Sequence, residues 1–254
     1  MTGPEEPLPQ AAPLQKGCLL FALPEEAWSF QKRRRVPESR VIVSSSGAGA
    51  QNAARAATQL FAAHPDAIKY LLICGFAGGL AQGVRPETLV LADRVMDESE
   101  DAHTPATIYS ADSDLLCAAE SVRLSGLSLR RGTLVTAARV LLSPEEKRAL
   151  ARRTGALAVD METAGAARVA QAHGIPWLAV RAITDGPEDA MPLDFNALAD
   201  PDGNVYTGPV LHATLLRPWK IPALARLGLR SARAARNLAA FLETFLQTLP
   251  EERE

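Results

Sequence analysis

Four ionisable residues stand where a folded chain has no ordinary need of them. Arg181 sits in the middle of an apolar run, between Val180 and Ala182 of WLAVRAITD. An unpaired guanidinium is expensive to bury, so a carboxylate partner is required nearby. Glu162, in VDMETA, follows the preceding apolar run and is the partner expected. Asp185 falls just past the last run, where a carboxylate would face a ligand, and Glu25 closes an earlier run in the same way. Perturbed carboxylates cluster at functional sites without being confined to them. Arg181, Glu162 and Asp185 read equally well as a structural ion pair with a capping aspartate. Adding Glu25 puts three acids and one arginine on one edge, more than a fold needs, which tilts the reading toward a reactive site.

The elements that must position these residues follow from periodicity and punctuation. Short apolar runs predict buried strands at Cys18–Leu23, Val41–Ser46, Tyr70–Cys74, Gly132–Ala137, Ala156–Val159 and Trp177–Ile183, and Thr88–Val95 alternates as a strand. Helical patterns lie between them: AQNAARAATQLFAAH, Asp112–Ser125, a helix after Ser143 and METAGAARVAQAH. Ser143, Pro144 and Glu146 form a helix start with a capping box. Gly174, with Pro176 beyond it, is a helix stop. A long amphipathic helix is expected from about Ala223 to Leu249. Strands alternating with helices predict an α/β fold: a single-domain three-layer sandwich, its mixed sheet mostly parallel, with helices on both faces. Ligands of such sheets sit beyond the carboxyl ends of the strands. That rule selects Glu25-Glu26, Gly47–Gly49, the glycine-rich turn after Cys74 (Phe76–Gly79), Asp160–Glu162 and Thr184-Asp185.

Composition narrows the function classes. A net charge of −2 argues against a dedicated nucleic-acid binder. Cys18, Cys74 and Cys117 are widely spaced in apolar contexts and read as buried free thiols in a reducing compartment. The four histidines, His64, His103, His173 and His212, have no metal-site spacing, so no metal and no cofactor are expected. Residues 1–16 read as a disordered tail without the features of a signal peptide, and 250–254 as a second tail. No apolar segment is long enough to span a bilayer. The expected location is the cytoplasm. Residues 17–249 form the expected domain, with 186–222 a long apolar insertion and 223–249 the closing helix.

ALPEE (Ala22–Glu26), SGAGAQNAA (Ser46–Ala54), GFAGGL (Gly75–Leu80), VDMETA (Val159–Ala164) and VRAITD (Val180–Asp185) together resemble the purine nucleoside phosphorylase superfamily, and particularly its methylthioadenosine/S-adenosylhomocysteine nucleosidase branch. GFAGGL alone is a weak signal; VDMETA followed at this distance by VRAITD is a strong one. The resemblance implies cleavage of a purine N-glycosidic bond. Asp185 would donate a proton to purine N7, Glu162 would hold the ribose hydroxyls, Glu25 would activate the attacking water, and Arg181 would fix Glu162 and that water. Phe76, Ala77, Gly78, Val140, Leu141 and Met161 would join Glu162 in binding substrate. Gly47 and Gly49 could offer backbone N–H groups to an anion or ribose oxygen, or simply make a tight turn. Two departures from the branch stand out. Phe76 replaces a serine, and Ala137-Ala138-Arg139 stands where a Gly-Asp pair recognises the base.

The chain's ending, DPDGNV with LLRPWKIPALARL, is similar to the hopanoid-associated nucleoside phosphorylase group. That resemblance implies adenosylhopane as substrate, cleaved to adenine and ribosylhopane. Arg217, Lys220, Arg226, Arg230, Arg233 and Arg236 give this region a basic character. Arg226, Arg230, Arg233 and Asn237 oppose a stripe of Leu227, Ala234, Leu238, Phe241 and Phe245. The basic face is either solvated or meets an anionic membrane surface. Water is the expected nucleophile. Alternatives are phosphate as co-substrate, a methylthioadenosine/S-adenosylhomocysteine-type nucleosidase, and a non-catalytic nucleoside- or lipid-binding module. The resemblance also implies a homo-oligomer acting on a small-molecule nucleoside.

Overall fold

The computed structural model describes residues 16–98, 106–198 and 218–249. Two crossovers open the chain: β1 (Lys16–Phe21), α1 (Pro24–Arg33), β2 (Val41–Ser45), α2 (Ala50–Ala63) and β3 (Ile68–Gly79). Then come β4 (Leu89–Glu98), β5 (Thr107–Ser110), α3 (Ser113–Ser121), β6 (Leu129–Ala137), α4 (Pro144–Thr154), β7 (Ala158–Asp160), α5 (Thr163–Ala172) and β8 (Trp177–Asp185). A 3₁₀ turn at Pro218–Lys220 leads into α6 (Ile221–Thr248).

The sheet is mixed. Strands β1–β2, β1–β3, β3–β8, β4–β6 and β6–β7 pair in parallel, and β3–β7, β4–β5 and β4–β8 antiparallel. Five of these strands close on themselves in the order β3-β7-β6-β4-β8, and β8 returns to β3. Closure leaves β2 and β5 as the edge strands, and it buries every residue of β8.

Alternating side chains in β1 feed the two helical layers. Leu19 and Phe21 join Phe30 of α1, Leu115 of α3 and Leu238, Phe241 and Phe245 of α6. Cys18 and Leu20 point the other way, to Ala53 and Ala57 of α2 and Ala166 and Ala170 of α5. A Cβ on Gly165 would lie 1.9 Å from the Ala50 carbonyl oxygen, so only glycine lets α5 approach α2 this closely. The α4 start is as expected: Glu146 N donates to Ser143 Oγ at 3.2 Å, and Ser143 N donates to Glu146 Oε2 at 3.1 Å. Gly174, just past α5, has φ +65°, the conformation expected of a helix stop.

Several expectations change. GFAGGL is not a turn: β3 continues through it to Gly79, pairing Phe76 with Ala182 and Ala77 with Ile183. The glycines serve close approach within a strand. Helix α1 was not expected, because Pro24 read as the end of a strand; it instead opens the helix, where its missing N–H costs nothing. Strand β5 was also not expected. Cys117 is exposed, while Cys18 and Cys74 are buried. In α3 the core-facing positions are Leu115, Leu116 and Ala119, which leaves Cys117 on the other side.

Part of the polar face of α6 is tied to the body, while Arg226 and Arg236 are exposed. Arg230 pairs with Asp189 at 2.8 Å and Arg233 with Glu87 at 3.3 Å, and Asn237 donates to the Glu87 carbonyl. Among the described residues no helix is long and apolar enough to cross a membrane. The 1–16 tail but for Lys16, the 250–254 tail and the DPDGNV motif lie outside the described residues.

Candidate active site

Arg181, wholly buried in β8, is the hub of the site. Its nearest acid is Asp160, at 2.6 Å from Nη2 to Oδ2, with Glu162 second at 3.7 Å. The sequence pointed to Glu162 as the partner. Asp160 takes that place because it ends β7 with its side chain turned inward, and its oxygens also accept from Thr136 Oγ1 at 2.7 Å and from Thr163 Oγ1. Arg181 does not line the cavity; it stands behind the acids that do.

Glu162 is the N-cap residue of α5. Its Oε1 accepts from Gly49 N at 3.0 Å, and its Oε2 from Met161 N at 3.3 Å. Burial pushes its carboxyl up to about 7; Arg181 opposes that rise, and the negative charges of Asp160 and Glu26 add to it. Such a group carries or releases a proton near neutral pH.

The acid that α1 brings to the cavity is Glu26, not Glu25. Glu25 is exposed on the first turn of the helix. Glu26 is buried, and its carboxylate accepts from Ala22 N at 2.9 Å, Leu23 N at 3.0 Å and Phe76 N at 2.9 Å. At the third helical position a glutamate reaches back to the free N–H groups of the helix start. Burial raises its carboxyl above the usual range, while Arg181 and the three N–H donors pull it down. Gly75 makes the meeting possible: a Cβ there would lie 2.5 Å from Arg181 Nη1 and 2.9 Å from Glu26 Oε2.

Asp185 ends β8, and its Oδ1 accepts from Thr184 Oγ1 at 2.8 Å. Its Oδ2 accepts from Lys147 Nζ, a buried ion pair that sequence reasoning missed. Lys147 belongs to α4, whose surface is otherwise charged. The one signal was its spacing of three residues from buried Leu150, which places both on the inner face. Burial lifts the Asp185 carboxyl above the ordinary carboxylate range, with Lys147 pulling against it.

These groups border one cavity of about 270 Å³, lined by Glu26, Glu162, Asp160, Asp185 and Lys147. Of the expected binding residues, Phe76, Ala77, Gly78, Val140, Leu141 and Met161 all line it. Leu23, Met191, Phe195 and Leu227 extend the apolar wall. The segment after β8 is tied down over this wall: Asn196 accepts from Val140 N and donates to Val140 O, and Met191 N donates to Leu142 O. The Gly47–Gly49 turn has two of its N–H groups engaged within the protein. Gly47 N is taken by the Ala22 carbonyl and Gly49 N by Glu162.

A closed mixed sheet with four acids around a nucleoside-sized hollow defines an enzyme of the nucleoside phosphorylase and nucleosidase class. The chain belongs to the phosphorylase superfamily, whose family model matches residues 29–203, more than half its length. It is 30% identical over 165 residues to a 5′-methylthioadenosine/S-adenosylhomocysteine nucleosidase of Listeria welshimeri, a match covering 57% of this chain and 68% of that protein. To the enzyme of the same name from Bacillus subtilis it is 28% identical over 162 residues, covering 58% and 68%. Among solved structures, the Helicobacter pylori 5′-methylthioadenosine/S-adenosylhomocysteine nucleosidase with butyl-thio-DADMe-Immucillin-A has a TM-score of 0.71 at 19% identity, covering 93% of this chain and 99% of that one. Native futalosine hydrolase of the same species has a TM-score of 0.72 at 19% identity, with the same coverage. At these identities the structural likeness establishes the fold.

Proposed function

We propose that the chain hydrolyses the N-glycosidic bond of a purine nucleoside carrying a large apolar 5′ substituent. The observation that carries this reading is the placement of three buried acids, Glu26, Glu162 and Asp185, around one cavity with an apolar wall. Asp185 protonates the departing base at N7. Glu162 holds the ribose hydroxyls beside the developing oxocarbenium ion. Glu26, with its carboxylate fixed by three backbone N–H groups, takes the proton of the attacking water.

Water is favoured over phosphate because the cations lining the cavity are already engaged: Arg139 with Glu146 at 2.5 Å and Lys147 with Asp185. No cofactor is required by this chemistry. Leu23, Val140, Leu141, Met191, Phe195 and Leu227 would shield the substituent. The resemblance of the chain's ending makes adenosylhopane the specific candidate, with adenine and ribosylhopane as products. A substrate of that kind arrives from a membrane, and the 3₁₀ turn with the first half of α6 suits such a surface: Trp219 and Leu229 are 71% and 63% exposed. Binding to anionic vesicles supports this contact. A homodimer in solution that covers Trp219 and binds no vesicles replaces it with a second copy of the chain.

The test is base release, with and without phosphate, from adenosylhopane and from methylthioadenosine. The expected result is phosphate-independent adenine release that is faster from adenosylhopane. Strict phosphate dependence removes the hydrolytic reading, and equal or faster release from methylthioadenosine removes the apolar one. Asp185→Asn is expected to fold and to lose turnover.

A further inference from the structure

Lys147 borders the cavity beside Asp185, and hydrolysis by Glu26, Glu162 and Asp185 leaves it without a task. Its side chain is 1% exposed, on a helix whose other charges reach solvent or surface partners. Nζ donates to Asp185 Oδ2, to the Gly186 carbonyl at 2.9 Å and to the Asp189 carbonyl at 2.8 Å. Three acceptors match the three N–H bonds of an ammonium. Asp185 in turn accepts at both oxygens, from Lys147 and from Thr184. A carboxylate that accepts at both oxygens has no proton of its own to give. The reaction nevertheless needs one at this spot.

We propose that Lys147 is the source of the proton that reaches the departing base, with Asp185 as the relay. This inference rests on the purine-nucleoside reading above. As the C1′–N9 bond breaks, its electron pair stays on the purine. The Lys147 proton shared with Oδ2 passes to Asp185, and Asp185 delivers it to N7. Lys147 is left as a neutral amine and Asp185 as a carboxylate. Water forms the new O–C1′ bond and gives its proton to Glu26, from which solvent returns one proton to Lys147. The other charges packed against the pair are already committed. The Asp189 side chain from the segment after β8 is held by Arg230 of α6, and on α4 Glu146 is held by Arg139 and Arg148 faces Glu188.

The rival role is a clamp that merely fixes the Gly186–Asp189 segment, and leaving-group chemistry separates the two. A 4-nitrophenyl riboside with the same 5′ substituent leaves without protonation, whereas adenine does not. Lys147→Met is expected to lower kcat for the nucleoside by about 100-fold or more and to change kcat for the nitrophenyl riboside by less than about threefold. Without the ammonium that holds it down, the Asp185 carboxyl protonates more readily, so adenine release by the variant rises relative to that of the wild type as pH falls. Equal losses on both substrates, or no loss on either, overturn the relay. Lys147→Gln, which can still donate to two of the three acceptors, gives the same comparison if the methionine variant fails to fold. Wild-type protein inactive on both substrates overturns the functional reading and the relay together; wild type active with an unaffected variant overturns the relay alone.

Discussion

Arg181 and Asp160 face each other at 2.6 Å in the interior, with the Asp160 side chain fully enclosed. The pair explains how a guanidinium sits in the middle of β8 without disrupting the core. It also sets the positions of the acids in front of it, since Arg181 reaches Glu162 with the same Nη2 atom. Asp160→Asn keeps the shape and removes the charge. The guanidinium then keeps Glu162, 3.7 Å away, and the more distant charge of Glu26. Breaking a buried pair by neutralising one partner costs about 3–5 kcal/mol. Urea unfolding of the variant is expected to show a loss of that size, and a loss below about 1 kcal/mol would mean that Asp160 adds little to the pair.

Glu25 and Glu26 are adjacent in sequence and opposite in situation. Glu26→Gln is expected to reduce hydrolysis by about 10²–10⁴-fold, the range of a general base. Glu25→Gln, at an exposed position, is expected to stay within about twofold of wild type. Rates of adenine release under saturating substrate decide the point, and a reversed order would return the role to Glu25.

The exchange of these neighbours shows what the sequence made legible. VDMETA and VRAITD located Glu162, Arg181 and Asp185 because the two acids fall at the ends of apolar strands and the arginine interrupts one of them. Glu26 was hidden by Pro24: read as a strand stop, it gave the first acid beyond it the prominent position, whereas a helix starting at Pro24 turns its third residue back over the strand end. Lys147 was hidden more deeply. Its partner lies 38 residues on, in another element, and locally only its spacing from Leu150 sets it apart from the solvated charges of α4. The layers and the helix starts followed from patterning, but closure of the sheet through β7 depends on a three-residue strand whose pairings are all non-local.

The stability of the protein is expected to fall as pH rises through neutrality. Burial raises the Glu162 carboxyl from 4.5 to about 7, so the folded state holds that proton more tightly than the unfolded chain. The stabilising contribution is complete below the unfolded value and is lost as pH climbs through the folded one, with a slope of at most about 1.4 kcal/mol per pH unit. Glu26 and Asp185, both raised by burial, act in the same direction. Glu162→Gln is expected to flatten the curve between about pH 5 and about pH 8 in denaturant titrations. An unchanged slope would show that Glu162 does not titrate in this window.

Gly75→Ala tests the crowding around Arg181. The new methyl group would meet Nη1 at 2.5 Å and Glu26 Oε2 at 2.9 Å, closer than such atoms approach. Neither group can swing away, because Arg181 is enclosed and Glu26 is fixed by three N–H donors. Overpacking of this kind costs about 1–3 kcal/mol. Hydrolysis is expected to fall by more than stability alone explains, since Glu26 is pushed from its place. Melting temperature and kcat measured on the same preparation separate the two effects.

Leu227 links the last helix to the cavity, where its side chain joins Val140, Leu141, Met191 and Phe195 in the apolar wall. If that wall shelters the 5′ substituent, truncation must penalise apolar substrates selectively. Burying a leucine side chain contributes about 1.5–3 kcal/mol, which corresponds to about tenfold or more in kcat/KM. Leu227→Ala is therefore expected to lower kcat/KM for a nucleoside with a long alkyl 5′ group by about that factor. A nucleoside with a short 5′ group, which does not reach the helix, should be nearly indifferent to the change. Equal losses for both would move Leu227 from substrate selection to packing, and with it the argument that the segment after β8 and α6 together shape the substrate preference.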